Sequence, residues 1–433
     1  MSVLAAETID NEPNFRSHVT LGLCAILHAF THAYGTMLVP LYLLMASDLQ
    51  LRGISAAAAV VTVYGLVNCL GSYGSGILAD RYNRKAMLGI GLLGNALAIT
   101  AMGLTRRYEA VMLCGVMAGV FGTLFHPAAN ALVPAHYPRS PGMVIGLLGI
   151  GSGIGFFAGP QFAGWRAESA SWTLGSVAQW QKPLIEAGIG GFLVGVAFLL
   201  VAREVHGHGH RNGAPSRPLG SELRRRMSQL ACVLACRDFA GIATLSLASI
   251  YLQKAHHLDV KRTGFILGAM MLVSIVINPF MVYFSPGARR LKMLAFVLIA
   301  GGLVLAIVPL VPLGMVLPVL MTFMAFQLGS YALSDAAMLE RVPADMRGRV
   351  VGLFLTIAGT SSSTAPFVMG WWTDHLGERA NHPPAYVPIF ASLAALMLLA
   401  TASTRLIARL GPVAGPAIDP MTQTTPATVE PAL

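Results

Sequence analysis

Charge is what this chain has least of. Asp, Glu, Lys and Arg together make up 11% of its 433 residues, against about 25% in soluble globular domains. A surface drawn from 55% hydrophobic residues cannot be covered with polar groups, which excludes a soluble fold and leaves lipid as the solvent. Alternation of apolar and polar residues is also missing, which excludes a transmembrane barrel and leaves helices. Cysteine is scarce: Cys24, Cys69, Cys114, Cys232 and Cys236 all fall in apolar runs, where a free thiol behaves as a small hydrophobe, so neither a disulfide framework nor a cysteine metal site is expected. The sequence carries no phosphate loop, no nucleophile with a base at readable spacing and no ATP-binding domain, so no enzyme activity and no cofactor are expected.

What is present is a series of apolar runs, each near the roughly 20 residues that cross a bilayer. They start near Val19, Ile54, Ala86, Ala110, Gly142, Pro183, Leu230, Gly264, Met293, Met315, Val350 and Val387, which gives twelve spans. The first is too long for a signal-peptide core and reads as a retained span. With the N-terminus inside, 19 Lys and Arg residues fall in the cytoplasmic segments and 9 on the other side, placing both termini in the cytoplasm. The formal charge of +10 is then topological rather than a nucleic-acid signal. The expected organisation is an N-terminal tail (1–18), a six-helix half (19–202), a cytoplasmic linker (203–229), a second six-helix half (230–410) and a Pro/Thr-rich tail without apolar periodicity (411–433).

The two halves repeat at a constant offset of 206 residues. Arg84, Met87 and Leu88 recur as Arg290, Met293 and Leu294. Gly142, Gly146, Gly153, Pro160, Gly164 and Trp165 recur as Gly348, Gly352, Gly359, Pro366, Gly370 and Trp371. Val133-Pro134-Ala135 pairs with Val342-Pro343-Ala344 after a three-residue insertion. Parallel six-helix repeats with a solute site at their interface are one architecture of secondary transporters.

After the second run comes Gly76-Ile-Leu-Ala-Asp80-Arg81-Tyr-Asn-Arg84-Lys85. Gly76 permits close helix approach, and Asp80 can pair with an Arg or a helix N-terminus. Positive-inside anchoring accounts for the basic residues but for neither Asp80 nor Gly76. The stretch resembles the loop signature of the major facilitator superfamily, which implies an all-α integral membrane fold and a latch between the halves that breaks during transport. Its counterpart, Ser285-Pro286-Gly287-Ala288-Arg289-Arg290, has lost the acid. Gly146, Gly155, Gly159-Pro160 and Gly164 resemble the glycine-proline signature of proton-coupled antiporters in that superfamily, although small residues at this spacing also serve plain helix packing. Gly115 stands where those antiporters often carry an arginine. His28-Ala-Phe-Thr-His32-Ala-Tyr34 and Phe125-His126-Pro127-Ala-Ala-Asn130 are similar to the subgroup of fosmidomycin-resistance-like exporters, in which an acid is usual where His32 stands.

Ionisable groups inside spans cost at least about 2.5–3.5 kcal/mol at the centre, so those retained face a cavity or a partner. Here they are His28, His32, His126, Arg237, Asp238 and Asp335, in spans 1, 4, 7 and 10. Arg237 needs a counter-ion, with Asp335 and Asp238 the candidates. Asn130, Gln161, Gln327, Tyr331 and the run Thr360 to Thr364 are further polar groups expected near a cavity. His28 and His32, four apart, share a helix face and can bind a metal or pass a proton, while a single hydrogen-bonded histidine remains the plainer alternative. The leading expectation is a proton-coupled exporter of a small organic or anionic compound, monomeric in a bacterial cytoplasmic (inner) membrane and with no nucleic-acid partner. The alternative is a carrier of a transition-metal ion such as iron or its chelate, on the strength of the span histidines and of His206, His208 and His210 in the linker.

Overall fold

The computed structural model describes residues 13–169, 177–204 and 220–410, apart from 274–276, 278–279, 282, 286, 288 and 343–345. Among these, eleven helices are long and apolar enough to cross a membrane. They are α1 (Phe15–Asp48), α2 (Ile54–Arg81), α3 (Arg84–Leu104), α4 (Tyr108–Ala135), α5 (Gly142–Glu168), α6 (Gln181–Val201), α7 (Ser221–Lys254), α9 (Arg289–Leu310), α10 (Leu313–Leu339), α11 (Arg349–Asn381) and α12 (Pro383–Ala408). The expected span between α7 and α9 opens as α8 (Val260–Met271); part of the rest of that expected span lies outside the described residues. Large apolar side chains such as Leu70, Leu104, Leu193, Leu200 and Leu399 stand outward, as a lipid-facing belt requires.

Two helices start earlier than hydropathy alone places them. Asn14 caps α1 by accepting from the Ser17 amide (3.0 Å), which moves the start to Phe15. Helix α7 begins at Ser221, so residues 221–229, assigned above to the linker, are helical. Glu222 there pairs with Arg225 (2.9 Å) and Arg226 (2.6 Å) one turn on, which supports a polar helix beyond the apolar core. The histidines of the linker, the tail 411–433, and Pro286, Ala288, Pro343 and Ala344 of the repeat lie outside the described residues.

One face of the bundle carries the described chain ends. Arg226 donates to the Arg409 carbonyl (3.1 Å), and the Arg203 amide donates to Thr20 Oγ1 (3.1 Å). His136, at the end of α4, bridges Ser17 Oγ (3.2 Å) and the Arg203 carbonyl (3.0 Å). We term this the terminal face and its opposite the far face.

Helix breaks follow proline and are repaired by side chains from neighbours. In α4 the segments Tyr108–Gly122 and Phe125–Ala135 are separated by a turn. Pro127 has no N–H to offer the Thr123 carbonyl four residues back, and Ser75 of α2 donates its hydroxyl there instead (2.8 Å). In α1 the break around Pro40 frees carbonyls at Val39 and Pro40, which accept from Ser249 (2.8 Å) and Gln253 (3.1 Å) of α7. Helix α11 contains a π-helical turn, Leu355–Gly359, a wide turn that recurs at functional sites.

The sequence repeat reappears as geometry at the same offset of 206. Arg84 Nε donates to the Ala79 carbonyl (3.3 Å), and Arg290 Nε to the Ser285 carbonyl (3.2 Å). A Cβ on Gly164 would collide with the Val260 carbonyl of α8, while one on Gly370 would stand 2.7 Å from Ser55 Cα of α2. These glycines are where the two repeats meet backbone to backbone.

Candidate functional site

The repeats touch at the far face and part toward the terminal face. At the C-terminal end of α11, Asp374 accepts from the Ile54 amide (2.8 Å), the Ser55 amide (3.0 Å) and the Ser55 hydroxyl (2.6 Å), capping the N-terminus of α2. Its repeat counterpart is Glu168 at the end of α5, which accepts from the Lys261 amide (3.2 Å) at the start of α8. Sequence reasoning missed this pair. The signal available was Glu168 and Asp374 standing at the repeat offset, each at a helix end.

Following α2 inward, contact with α11 persists at Thr62, whose hydroxyl accepts from the Phe367 amide (3.1 Å), and at Cys69, whose thiol meets Ser363 Oγ at 3.6 Å. Beyond that point a Cβ on Gly74 or Gly76 of α2, on Gly142 or Gly146 of α5, or on Gly352 of α11 would meet open space. The cleft therefore opens toward the terminal face. Asp80 and Arg81 of the expected latch are exposed there, and no hydrogen bond or ion pair of Asp80 occurs among the described residues. The amides of Arg84 (3.4 Å) and Lys85 (2.7 Å) are instead capped by Glu204, from the same repeat. The antiporter-like glycines of α5 divide their work. Gly155 and Gly159 pack against the backbone of α1 at Ala29 and Ala33, whereas the Pro160 carbonyl and Gly164 meet α8 across the repeats.

A cavity of about 380 Å³ lies at the centre. Of the predicted residues, His32, His126, Gln327 and Tyr331 line it, as do Ser362 and Ser363 from the polar run of α11. Tyr64, Asn68, Cys69, Phe156, Met271 and Met324 line it too, residues that the sequence did not mark as cavity-lining. His28 sits behind His32, buried. Asn130 is exposed one turn beyond His126 on the same helix, outside the lining.

Arg237 does not reach the cavity. Its side chain is 0% exposed, with Nε on Asp238 Oδ1 (2.7 Å) and Nη1 on Ser334 Oγ (2.8 Å). The guanidinium lies 3.8 Å from the centroid of the Tyr331 ring, so Tyr331 presents one side to the cavity and covers the cation with the other. Gln327 Nε2 donates to the Arg237 carbonyl (3.0 Å). The counter-ion is thus Asp238. Asp335, the other candidate, is exposed and makes no direct contact with the guanidinium among the described residues; Ser334, whose hydroxyl lies 3.4 Å from its Oδ1, stands between them. Span 7 runs longer than hydropathy indicates, and adjacency along the chain lets Asp238 fold back onto the guanidinium.

The histidines converge. His28 Nδ1 donates to the Leu148 carbonyl of α5 (2.8 Å), and its Nε2 lies 3.0 Å from His32 Nε2. His126, in the first turn after the break in α4, brings its ring centroid to 5.2 Å from His28 and 5.5 Å from His32.

A sequence profile described as Major Facilitator Superfamily matches residues 22–366. The chain belongs to the Major Facilitator Superfamily. Among curated proteins this superfamily chain is similar to the multidrug resistance protein MdtG of Dickeya zeae, 32% identical over 145 residues, a stretch covering 32% of this chain and 35% of that one. MdtG of Escherichia coli K12 is 31% identical over 144 residues. The matched stretch thus spans about a third of these relatives' length. Among solved structures, the superfamily fold is shared with a bacterial homologue of the human lysosomal transporter Spinster in an inward-facing, unoccupied conformation, with a TM-score of 0.73, 15% identity and coverage of 92% and 98% of the two chains. The nucleoside transporter NupG matches with a TM-score of 0.68 at 14% identity, covering 90% of this chain and 99% of that one.

Proposed function

We propose that the protein is a secondary transporter that exports small, predominantly apolar organic compounds from the cytoplasm in exchange for protons. The observation that carries the reading is the central cavity, closed at the far face by repeat-related caps and open at the terminal face. That is half of an alternating-access cycle. With both termini in the cytoplasm of a bacterial inner membrane, this is the inward-open half.

The cavity wall favours the solute class. Val61, Leu245, Phe156, Met271, Met324 and Leu328 present apolar surface, and among the described residues no Lys or Arg lines the wall, which favours an uncharged solute over an anion. Gln327, Asn68 and Ser363 offer a few hydrogen bonds for orientation, the usual composition of a small-molecule site. Similarity to multidrug resistance proteins supports export.

Proton coupling rests on Arg237, Asp238 and Asp335. Asp335 stands in the field of both Arg237 and Asp238, so two carboxylates share one guanidinium and one negative charge is left over. One proton neutralises the cluster. Asp335, exposed, is the group that exchanges it with water, and Ser334 links it to the buried pair.

The test uses proteoliposomes with an imposed pH gradient and a set of lipophilic aromatic dyes. Dye movement driven by the gradient, abolished by a proton ionophore and by Asp335→Asn, is expected. Flux indifferent to the gradient removes the coupling, and absence of flux for every dye removes the solute class.

A further inference from the structure

Proton coupling through Arg237, Asp238 and Asp335 leaves His28, His32 and His126, at and just behind the cavity wall, unused. They come from two helices, His28 and His32 from α1 and His126 from α4, and one nitrogen from each lies within 4.8 Å of the other two. We infer that His28, His32 and His126 form a binding site for one divalent transition-metal ion, held by three imidazoles with its fourth position open to the cavity. This goes beyond the proposed export activity and does not depend on it.

Four observations carry the inference. The first is the tautomer of His28. A carbonyl oxygen only accepts, so Nδ1, 2.8 Å from the Leu148 carbonyl, holds the proton and Nε2 is left with its lone pair. A backbone carbonyl on the far nitrogen is the usual orienting partner of a metal-bound histidine. The second is spacing. The Nε2 atoms of His28 and His32 stand 3.0 Å apart. Two nitrogens on a tetrahedral ion at about 2.0–2.1 Å are about 3.3 Å apart, so these two already straddle a position an ion can take. As the rings stand, His32 Nε2–H donates to His28 Nε2, and coordination requires only that the His32 proton move to Nδ1, with no net loss of a proton.

The third is support around the ligands. Phe125 stacks on His28 at 4.7 Å between centroids and Phe156 lies on His32 at 4.3 Å, fixing two rings inside an apolar sleeve. The fourth is access. His126 is exposed and, with His32, lines the cavity, so it is free to turn onto an ion arriving from that side. The ligand chemistry sets the class: neutral imidazoles without a carboxylate suit zinc, copper, nickel or cobalt and not magnesium or calcium. All three ligands belong to the first repeat, so the ion does not bridge the halves.

The full-length chain, purified without a polyhistidine tag, is titrated with Co²⁺ and followed by visible absorption, then chased with Zn²⁺. One Co²⁺ per chain with the intense bands of a four-coordinate nitrogen site, displaced by Zn²⁺, is expected. His126→Ala should weaken binding about tenfold or more, the scale set by losing even a supporting group. It faces the cavity, so monodisperse elution and an unchanged thermal transition without metal will show that it folds, and His32→Gln serves as a second variant. A variant with His206→Ala, His208→Ala and His210→Ala should bind as the parent does. Absence of stoichiometric Co²⁺ binding overturns the inference, as does binding that survives both cavity variants or is lost only in the linker variant.

Discussion

Replacing Asp374 with alanine should open the far face. The carboxylate accepts three hydrogen bonds at the N-terminus of α2, two of them from backbone amides with no helical partner. A hydrogen bond to a charged group contributes about 1.5–3 kcal/mol net, and an N-cap alone about 1 kcal/mol. Asp374 is half-buried, so solvent screening keeps the total near the lower end, about 1.5 kcal/mol. The interaction exists only while α11 meets α2, so its loss destabilises the far-closed state alone. A change of about 1.4 kcal/mol is tenfold in an equilibrium constant, so the ratio of far-open to far-closed molecules should rise about tenfold. Glu168→Ala removes the weaker counterpart, a single 3.2 Å bond, and should act in the same direction by less. The two caps lie on different helix pairs and share no partner, so their effects should add. Electron–electron resonance distances between spin labels at Arg106 and Arg379, both exposed at the far face, report the populations once the native cysteines are replaced. Identical distance distributions for the parent, Asp374→Ala and the double variant would falsify the gating role.

Two further predictions concern stability. Arg237→Met strands Asp238, which is 6% exposed, without its cation, and should cost about 3–5 kcal/mol in a detergent unfolding measurement, whereas Arg237→Met with Asp238→Leu should recover much of that loss; additive effects would dismiss the pairing. His136 is held below the usual imidazole value of 6.5, chiefly because burial disfavours its charged form. The unfolded chain therefore binds more protons in that window, so this stability is complete above about pH 6.5 and is lost as pH falls. His136→Gln should flatten the acid side of a thermal-stability profile, and an unchanged slope would assign that slope to other groups.

How much of this was legible in sequence differs by feature. The apolar runs mark the spans, because lipid requires every backbone group to be satisfied within a helix. The repeat at 206 residues anticipated that Gly164 and Gly370 do equivalent work. Tyr331 and Gln327 were recognisable as polar groups inside a span, and both reach the cavity. Asn68 and Tyr64 of α2 have no charged or histidine residue near them in sequence to mark a cavity face, and Met324 is indistinguishable from a lipid-facing apolar residue, so their place in the lining came only from the packing.

By itself the sequence determined the solvent, the fold class, the repeat and the set of ionisable groups within the spans, since each follows from local composition or periodicity. Which of those groups meet was decided only in three dimensions. Asp238, and not Asp335, makes the direct contact with Arg237 because a neighbour in sequence can fold back on a long guanidinium, while Asp335 meets the cluster through Ser334. His126, in the first turn after the break in α4, comes beside His28 and His32 of another helix, a meeting that depends on how α1 and α4 pack. Asp374 holds Ile54 and Ser55 from about 320 positions away, a contact between two helix ends that no local pattern encodes.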